Sequence, residues 1–391
     1  PIGDAQIHIT YEGEPDGEER DAVTDESGMT EMITLPAPNR EYSTSISELQ
    51  PYAEYTIRAN ADGYEPTEVA GTEILPDETA IQEILMKRSV QTGEFDRIVI
   101  GPHTLFGNYP PKIAESEIKP MTESGEIVLS RVVIPEYVIV HDGAPSDSSA
   151  RNYWVRYRDY IKNVASSEIY ATWTDAAIRA NVLAIMSFVL NRVYTEWYRN
   201  RGYDFTITSS TAFDQKWIYG RNIYQNISNI VDEVFGNYLS RPNVKQPILT
   251  QYCDGRQVSC PGWMTQWGSQ NLGEQGYSTI EILRYYYGES IYINTAVEIS
   301  GVPSSWPGYD LSVGSSGSKV LQMQEQLNVI AEAYPALPRV DTDGIYGPAT
   351  QAAVKKFQSI FGLPVTGIVD YRTWYKISEI YVGVSRIAEL R

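Results

Sequence analysis

The sequence predicts a multidomain α+β protein, and three changes of pattern along the chain predict it. The first 88 residues alternate apolar and polar positions between turn signals. Residues 152–301 carry broad helical apolar faces. Beyond residue 309, glycine-rich turns alternate with short amphipathic helices. A chain of 391 residues has room for two to four domains. The expected divisions are an acidic β-sandwich over 1–88, a linker over 89–133, a mainly helical α+β domain over 134–305 and a small helical domain over 306–391.

In the first region Ile7 and Ile9 alternate with His8 and Thr10, and Tyr55, Ile57 and Ala59 with Thr56 and Arg58. Turn signals at 25–28, 36–39 and 62–63 separate the runs, which suits a small sandwich. Residues 87–96, KRSVQTGEFD, mix charge, Ser, Thr and Gly without periodicity, the composition of an exposed linker open to proteolysis. A strand-like run covers 134–141. In the centre, Thr174 or Asp175 caps a helix through its side-chain oxygen. Ile178, Val182, Ile185, Val189 and Val193 then recur at helical spacing with Leu183, Met186 and Leu190 beside them, which marks a buried helix running to about 199. Residues 222–239 repeat this pattern, and a shorter helix over 280–287 ends at Gly288. The last region has expected helices at 320–333 and 348–361.

The net charge of −19 is uneven: residues 1–88 hold 20 acidic and 5 basic side chains, leaving 30 and 26 for the rest. The acidity belongs to the first region. A chain with this net charge repels nucleic acid, whose binding rests on Lys and Arg neutralising phosphates, so no nucleic-acid partner is expected. The longest apolar stretch, 182–190, is interrupted by Ser187 and too short to span a bilayer, so no membrane partner is expected either. No signal-peptide pattern opens the chain, which begins at Pro1 without Met.

Three regions resemble known families. The first, through VTDESGMTEMITLP and YAEYTIRANADGYEP, resembles the carboxypeptidase regulatory-like or transthyretin-like sandwich module, a scaffold. The last carries Gly314, Gly317, Gln324, Asp343, Gly344, Gly347, Thr350, Phe357, Gln358, Gly367 and Trp374 at fixed spacing. It resembles the three-helix peptidoglycan-binding domain family, which implies binding of cell-wall glycopeptide. In the centre, YIKNVASSEIYATWTDAAIRANVLAIMSFVL (160–190), FDQKWIYG (213–220) and MTQWGSQNLGEQGYSTIEILRYYYG (264–288) resemble three ordered motifs of the SpoIID/LytB family. One member of that family is a lytic transglycosylase acting on glycan strands.

That chemistry needs one carboxyl group. The acid protonates the oxygen between N-acetylmuramic acid and N-acetylglucosamine. The resulting carboxylate then takes the proton from the muramic acid O6 hydroxyl as a 1,6-anhydro ring closes. Such an acid needs a pKa raised by apolar surroundings. Glu168 suits the part by motif position and by its neighbours Ile169, Tyr170 and Trp173. The motif departs at Asn181, where the family has Gln, and at Met186, where it has Arg. Among 29 Tyr and 8 Trp, several cluster at the closing motif, and aromatic faces stack on sugars as readily as they fill cores. Gln215, Gln266, Trp267 and Tyr286 are the expected groove residues.

Some SpoIID proteins hold zinc through Cys and His. Here Cys253 and Cys260 share a short loop, and His8, His103 and His141 all precede it. Two cysteines alone leave a tetrahedral site incomplete, so a disulfide is favoured over metal, with free thiols the remaining state. No metal and no other cofactor are expected.

The domain order, with GNYPPK, ARNYWV and TEWYRNRGY, resembles the spore cortex-lytic enzymes. This implies a zymogen in the spore cortex or coat region, outside the cytosol, acting on cortex peptidoglycan. A subtilisin-like (Csp) protease would remove the acidic pro-domain by cutting near Val90 and Gln91, making 89–133 a linker and pro-segment. Two alternatives stay open: a two-carboxylate muramidase using Asp175, Asp204 or Asp214, and a non-catalytic wall-binding or amidase-activating protein.

Overall fold

The computed structural model describes residues 2–13, 19–89, 96–119, 132–296, 298–300 and 309–385. Strands β1 (Gln6–Tyr11) and β2 (Glu19–Val23) precede a short helix, α1 (Glu41–Thr44). Then come β3 (Ala53–Asn60), β4 (Thr67–Ile74), β5 (Ala80–Ile81) and β6 (Asp96–Val99). Five of these form one sheet in the order β2-β1-β3-β4-β6, antiparallel except where β6 runs parallel to β4. Ile9, Ala53, Tyr55 and Ile57 are buried on one face, where Ile33, Leu35 and Ile84 pack from extended chain with no ladder of its own. The expected sandwich is corrected accordingly: its second layer is irregular. Pro36 and Pro38 fall in that layer and have no N–H to give a ladder.

Residues 96–119 of the expected linker are not an exposed tether. β6 completes the sheet, and Ile100, His103, Leu105, Tyr109 and Lys119 are buried. Gly71 of β4 makes the passage possible: at φ +84° it has no Cβ, and one would lie 2.7 Å from the Ile100 carbonyl oxygen. Val90 and Gln91 lie outside the described residues.

In the centre, β7 (Val133–Pro135), β8 (Tyr137–His141) and β9 (Asn152–Arg156) lead into α2 (Tyr157–Glu168) and α3 (Asp175–Thr195). Thr174 caps α3, its hydroxyl accepting from the Ala177 N–H at 3.3 Å. The helix ends earlier than expected because Glu196 turns left-handed at φ 48° and its N–H closes back on Arg192 and Val193. Seventeen of the 21 residues of α3 are buried. It is long and apolar enough to cross a membrane, yet 83% of the qualifying window is buried inside the protein, so α3 is the core helix.

Next come β10 (Ile207–Thr208), β11 (Ile223–Tyr224), α4 (Gln225–Val234) and β12 (Asn237–Ser240). After them lie β13 (Tyr252–Cys253), β14 (Met264–Thr265), α5 (Gln266–Glu274), α6 (Thr279–Tyr287), β15 (Tyr292–Thr295) and β16 (Glu298–Ser300). Helices α2, α4, α5 and α6 pack on α3. The single helix expected over 222–239 is reduced to α4 because tertiary pairing takes both ends: β11 pairs with β5 and β12 with β15. Helix α6 opens with a capping box of Ser278 and Glu281 and stops at Gly288, φ 86°.

The N-terminal sheet docks on the centre through Glu73 of β4. Asn222 accepts from the Glu73 N–H and donates to its carbonyl, Tyr224 donates to that carbonyl, and Arg221 pairs with the carboxylate at 2.7 Å. Arg221 also donates to the Gly101 carbonyl at 2.7 Å. Both ions are buried, so desolvation offsets much of their attraction, and the pair fixes register more than it adds stability.

The C-terminal region folds as α7 (Ser318–Ala333), α8 (Pro348–Ile360) and α9 (Tyr371–Ser385). Two glutamines build its loops alike. Gln324 accepts from the Gly344 N–H and donates to the Ile345 carbonyl, while Gln358 accepts from the Gly367 N–H and donates to the Ile368 carbonyl.

Because α3 is the shared core, Leu190→Ala should cost about 2–5 kcal/mol through transfer and cavity terms. Thr174→Ala should cost about 1 kcal/mol through the lost cap. Urea unfolding followed by helical circular dichroism measures both, and a smaller cost at Leu190 than at Thr174 would contradict the hub role of α3.

Candidate active site

Glu168 is the last residue of α2 and is fully buried. One carboxyl oxygen accepts from the Lys216 backbone N–H at 2.6 Å, and the other accepts from the Tyr252 hydroxyl at 2.5 Å. Its backbone carbonyl accepts from the Gln266 amide at 3.1 Å. Four segments therefore converge on one residue: the end of α2, the loop before β11, β13 and the start of α5. Burial pushes the Glu168 carboxyl above its ordinary range, and the Lys112 cation, the Tyr252 hydroxyl and the Lys216 N–H act against that push. Its place at a helix C-terminus, where backbone carbonyls concentrate negative potential, further disfavours the ionised form.

The expected groove residues divide. Gln215 is fully buried: it accepts from the Tyr160 hydroxyl at 3.2 Å and donates to the Ile185 carbonyl at 3.1 Å. It anchors the loop that presents the Lys216 N–H. Gln266 is buried beside it in function, holding the Glu168 carbonyl, while its own amide oxygen has no partner. Trp267 lies against Trp173 and Tyr170, with ring centroids 5.2 and 5.9 Å apart, and its indole N–H is buried without a partner. Tyr286 stands apart, half-buried, its hydroxyl 3.0 Å from the Thr265 hydroxyl.

Cys253 and Cys260 form a disulfide next to Tyr252. Among the described residues no group of three or more His, Cys, Asp or Glu side chains is arranged to hold a metal ion.

The aspartates weighed as second acids are engaged elsewhere. Asp214 is fully buried and takes hydrogen bonds from Arg192, the Tyr198 hydroxyl and Thr208. Asp175 pairs with Arg179 on the surface, and Asp204 accepts from Asn152.

Sequence reasoning missed Tyr252 and the Lys216 N–H, and it also missed two residues in the segment read as a linker. Tyr109 is buried against the disulfide, and its hydroxyl has no partner. Burial, then the Glu168 and Asp254 carboxylates, raise its pKa. The Lys112 ammonium donates to the Asp214 carbonyl at 2.7 Å and lies 4.3 Å from the Tyr252 ring centroid. Burial pulls it down to about 8. Beyond it, Gln251 clamps the backbone of Ile113 and Glu115, Gln246 clamps that of Lys119, and Arg192 grips the Glu115 carboxylate. This strap joins Tyr252 and Lys216 in enclosing Glu168. YPPK carries no periodic pattern, so its sequence gave no sign of the contact.

Comparison with known proteins bears on the C-terminal region. A protein-family profile described as "Putative peptidoglycan binding domain" matches residues 316–377. Over 77 residues the chain is 42% identical to a zinc D-Ala-D-Ala carboxypeptidase of Streptomyces albus G, covering 19% of this chain and 28% of that protein. Over 68 residues it is 44% identical to an uncharacterized protein in the bpoA1 3' region of Kitasatospora aureofaciens, covering 17% and 53%. The chain thus spans about a quarter and about half of these relatives. A crystal structure of the SleB N-terminal domain aligns with 20% of this chain and 99% of that chain at 27% identity and a TM-score of 0.18. The protein is a mixed α+β multidomain chain whose residues 316–377, within the helical C-terminal region, match the profile of a peptidoglycan-binding domain.

The raised pKa of Glu168 has a sign that stability can read. Its contribution is intact below the ordinary value of 4.5 and is lost as pH rises through the folded value, because the ionised form is the one burial penalises. Glu168→Gln does not titrate. The melting temperature of the variant relative to the parent should therefore rise between about pH 4 and pH 8, and thermal unfolding across that range would show a flat difference if the carboxyl were unperturbed.

Proposed function

We propose that the central region is a peptidoglycan lytic transglycosylase with Glu168 as its acid and base. It cleaves the bond between N-acetylmuramic acid and N-acetylglucosamine. The protonated carboxyl gives its proton to the glycosidic oxygen as the C1–O bond breaks. The carboxylate then takes the O6 proton while O6 bonds to C1, closing the 1,6-anhydro ring without water or a second carboxylate. The observation that carries this is the Glu168 environment, a buried carboxyl with raised proton affinity held in one orientation by Tyr252 and Lys216. The engagement of Asp214 with Arg192 speaks against a two-carboxylate hydrolase built on that residue.

The setting we propose is a spore cortex-lytic enzyme of the SleC kind, located in the cortex or coat region. The peptidoglycan-binding domain supports the target, and the disulfide suits a non-cytosolic compartment. The chain is a zymogen, cut by a subtilisin-like Csp protease near Val90 and Gln91. The closure of Glu168 supports a stored form, since no glycan reaches a fully buried carboxyl. That same closure favours the second reading, a wall-binding protein in which Glu168 only ties α2 to the neighbouring loops.

One pair of experiments separates the two. Mass spectrometry of cortex digested by the activated protein should find anhydro-muropeptides, and Glu168→Gln should reduce their release by about 10²-fold or more, the scale of a lost general acid. Unchanged release, or products with reducing ends, would contradict the assignment. N-terminal sequencing after protease treatment should give a fragment starting within a few residues of Gln91, and a new terminus deep inside a flanking domain would refute the cleavage site.

A further inference from the structure

Beside Glu168, the turn at 169–173 and the turn at 254–257 present hydrogen-bonding groups that the N-terminal region satisfies. The Trp173 indole N–H donates to the Ser43 carbonyl at 2.8 Å, and the Thr172 hydroxyl donates to the Ser43 hydroxyl at 2.8 Å. The Thr172 carbonyl accepts from Arg40 at 2.8 Å. Arg256 donates to the Ser47 carbonyl at 3.1 Å and pairs with the Glu48 carboxylate. Behind them Tyr170, Trp173 and Trp267 form one aromatic cluster. The Trp267 indole N–H, nine-tenths buried within it, meets no acceptor at all. Buried donors in folded proteins are almost always paired, so an orphan at this point marks a place where an acceptor belongs.

The groups donated by residues 40–48 form a recognisable set: a carbonyl on an indole N–H, a hydroxyl on a hydroxyl, a cationic donor on a carbonyl, and a carboxylate on a guanidinium. An N-acetylated sugar acid offers three of these four, with its acetamide carbonyl, ring hydroxyls and carboxylate; it has no cation, and a neutral hydroxyl or amide N–H would stand where Arg40 donates to the Thr172 carbonyl. Its ring face suits indole and phenol surfaces. We propose that the face made by Tyr170, Thr172, Trp173, Arg256 and Trp267 is a binding site for an anionic N-acetylated saccharide, and that residues 40–48 occupy it here as an internal surrogate. The Glu48 side chain is largely exposed, so its pair with Arg256 marks charge complementarity and adds little energy. The buried contacts of Ser43 hold the surrogate in place. The proposal deepens the enzymatic assignment by naming a substrate subsite next to the acid, and it rests on that assignment for its biological meaning.

The test uses the full chain with Glu168→Gln throughout, so that no probe is consumed. The probe is a peptide-stripped tetrasaccharide of alternating N-acetylglucosamine and N-acetylmuramic acid with free lactyl carboxylates, titrated by calorimetry. Arg40→Ala, Ser43→Lys and Glu48→Ala together remove the surrogate's contacts and put a long side chain where Ser43 leaves no room. This variant should bind the probe at least tenfold more tightly than the Glu168→Gln parent. Adding Arg256→Gln should abolish the gain, and neutral chitotetraose should show a smaller one. The C-terminal domain contributes equally to every variant, so it cancels in the comparison. Amide exchange within α3 should match the parent, showing that the core is intact, and exchange at 43–48 should accelerate, showing that the face is open. With the face open, absence of a gain, a gain indifferent to Arg256→Gln, or equal gain with chitotetraose would overturn the proposal. Binding is read without turnover, so failure here leaves the product analysis to judge lysis, and failure of lysis leaves this outcome standing.

Discussion

One buried carboxyl organises the central domain. The two hydrogen bonds to Glu168 come from residues 48 and 84 positions further along the chain, and a third contact reaches its carbonyl from 98 positions away. A carboxyl in an apolar interior is costly when ionised, and each donor partly offsets that cost without restoring the solvation of water. The resulting balance leaves the group with raised proton affinity and little orientational freedom. Both properties are what proton transfer to a leaving oxygen requires, and both follow from where α2 ends and what packs around it.

The N-terminal region is joined to this arrangement more closely than a tethered module would be. β6 continues its sheet and then becomes the strap carrying Tyr109 and Lys112 to the Glu168 enclosure. Glu73 and Arg221 tie the sheet to the loop before α4, and Arg221 reaches the strap again at Gly101. The first region, the strap and the surroundings of Glu168 therefore share contacts.

What the sequence made legible follows from physical range. Helix α3 and the first two C-terminal helices, α7 and α8, were readable because apolar residues at a 3.6 period report burial locally. The burial of Glu168 was readable from its neighbours Ile169, Tyr170 and Trp173. Tyr252, the Lys216 N–H and Lys112 were not, because each acts through a contact spanning many tens of residues and none sits in a periodic run. The helix over 222–239 was overextended for a related reason. Ile223, Tyr224, Tyr238 and Leu239 continue an apolar pattern, but strand pairing with β5 and β15 claims them. Gln215 and Gln266 were placed in a groove by motif, whereas their amides work as buried struts that hold the backbone around Glu168.

The protonation of Glu168 itself is the most direct measurement. Carbon-13 NMR of the chain labelled at glutamate carboxyls, with Glu168→Gln identifying the signal, gives its titration midpoint. A midpoint clearly above 4.5 is the expected result, with Tyr252→Phe moving it higher because a hydrogen bond to the ionised form is lost. A midpoint at or below 4.5 would mean that Glu168 is held as a carboxylate, and a residue so held could not serve as the acid that breaks the glycan strand.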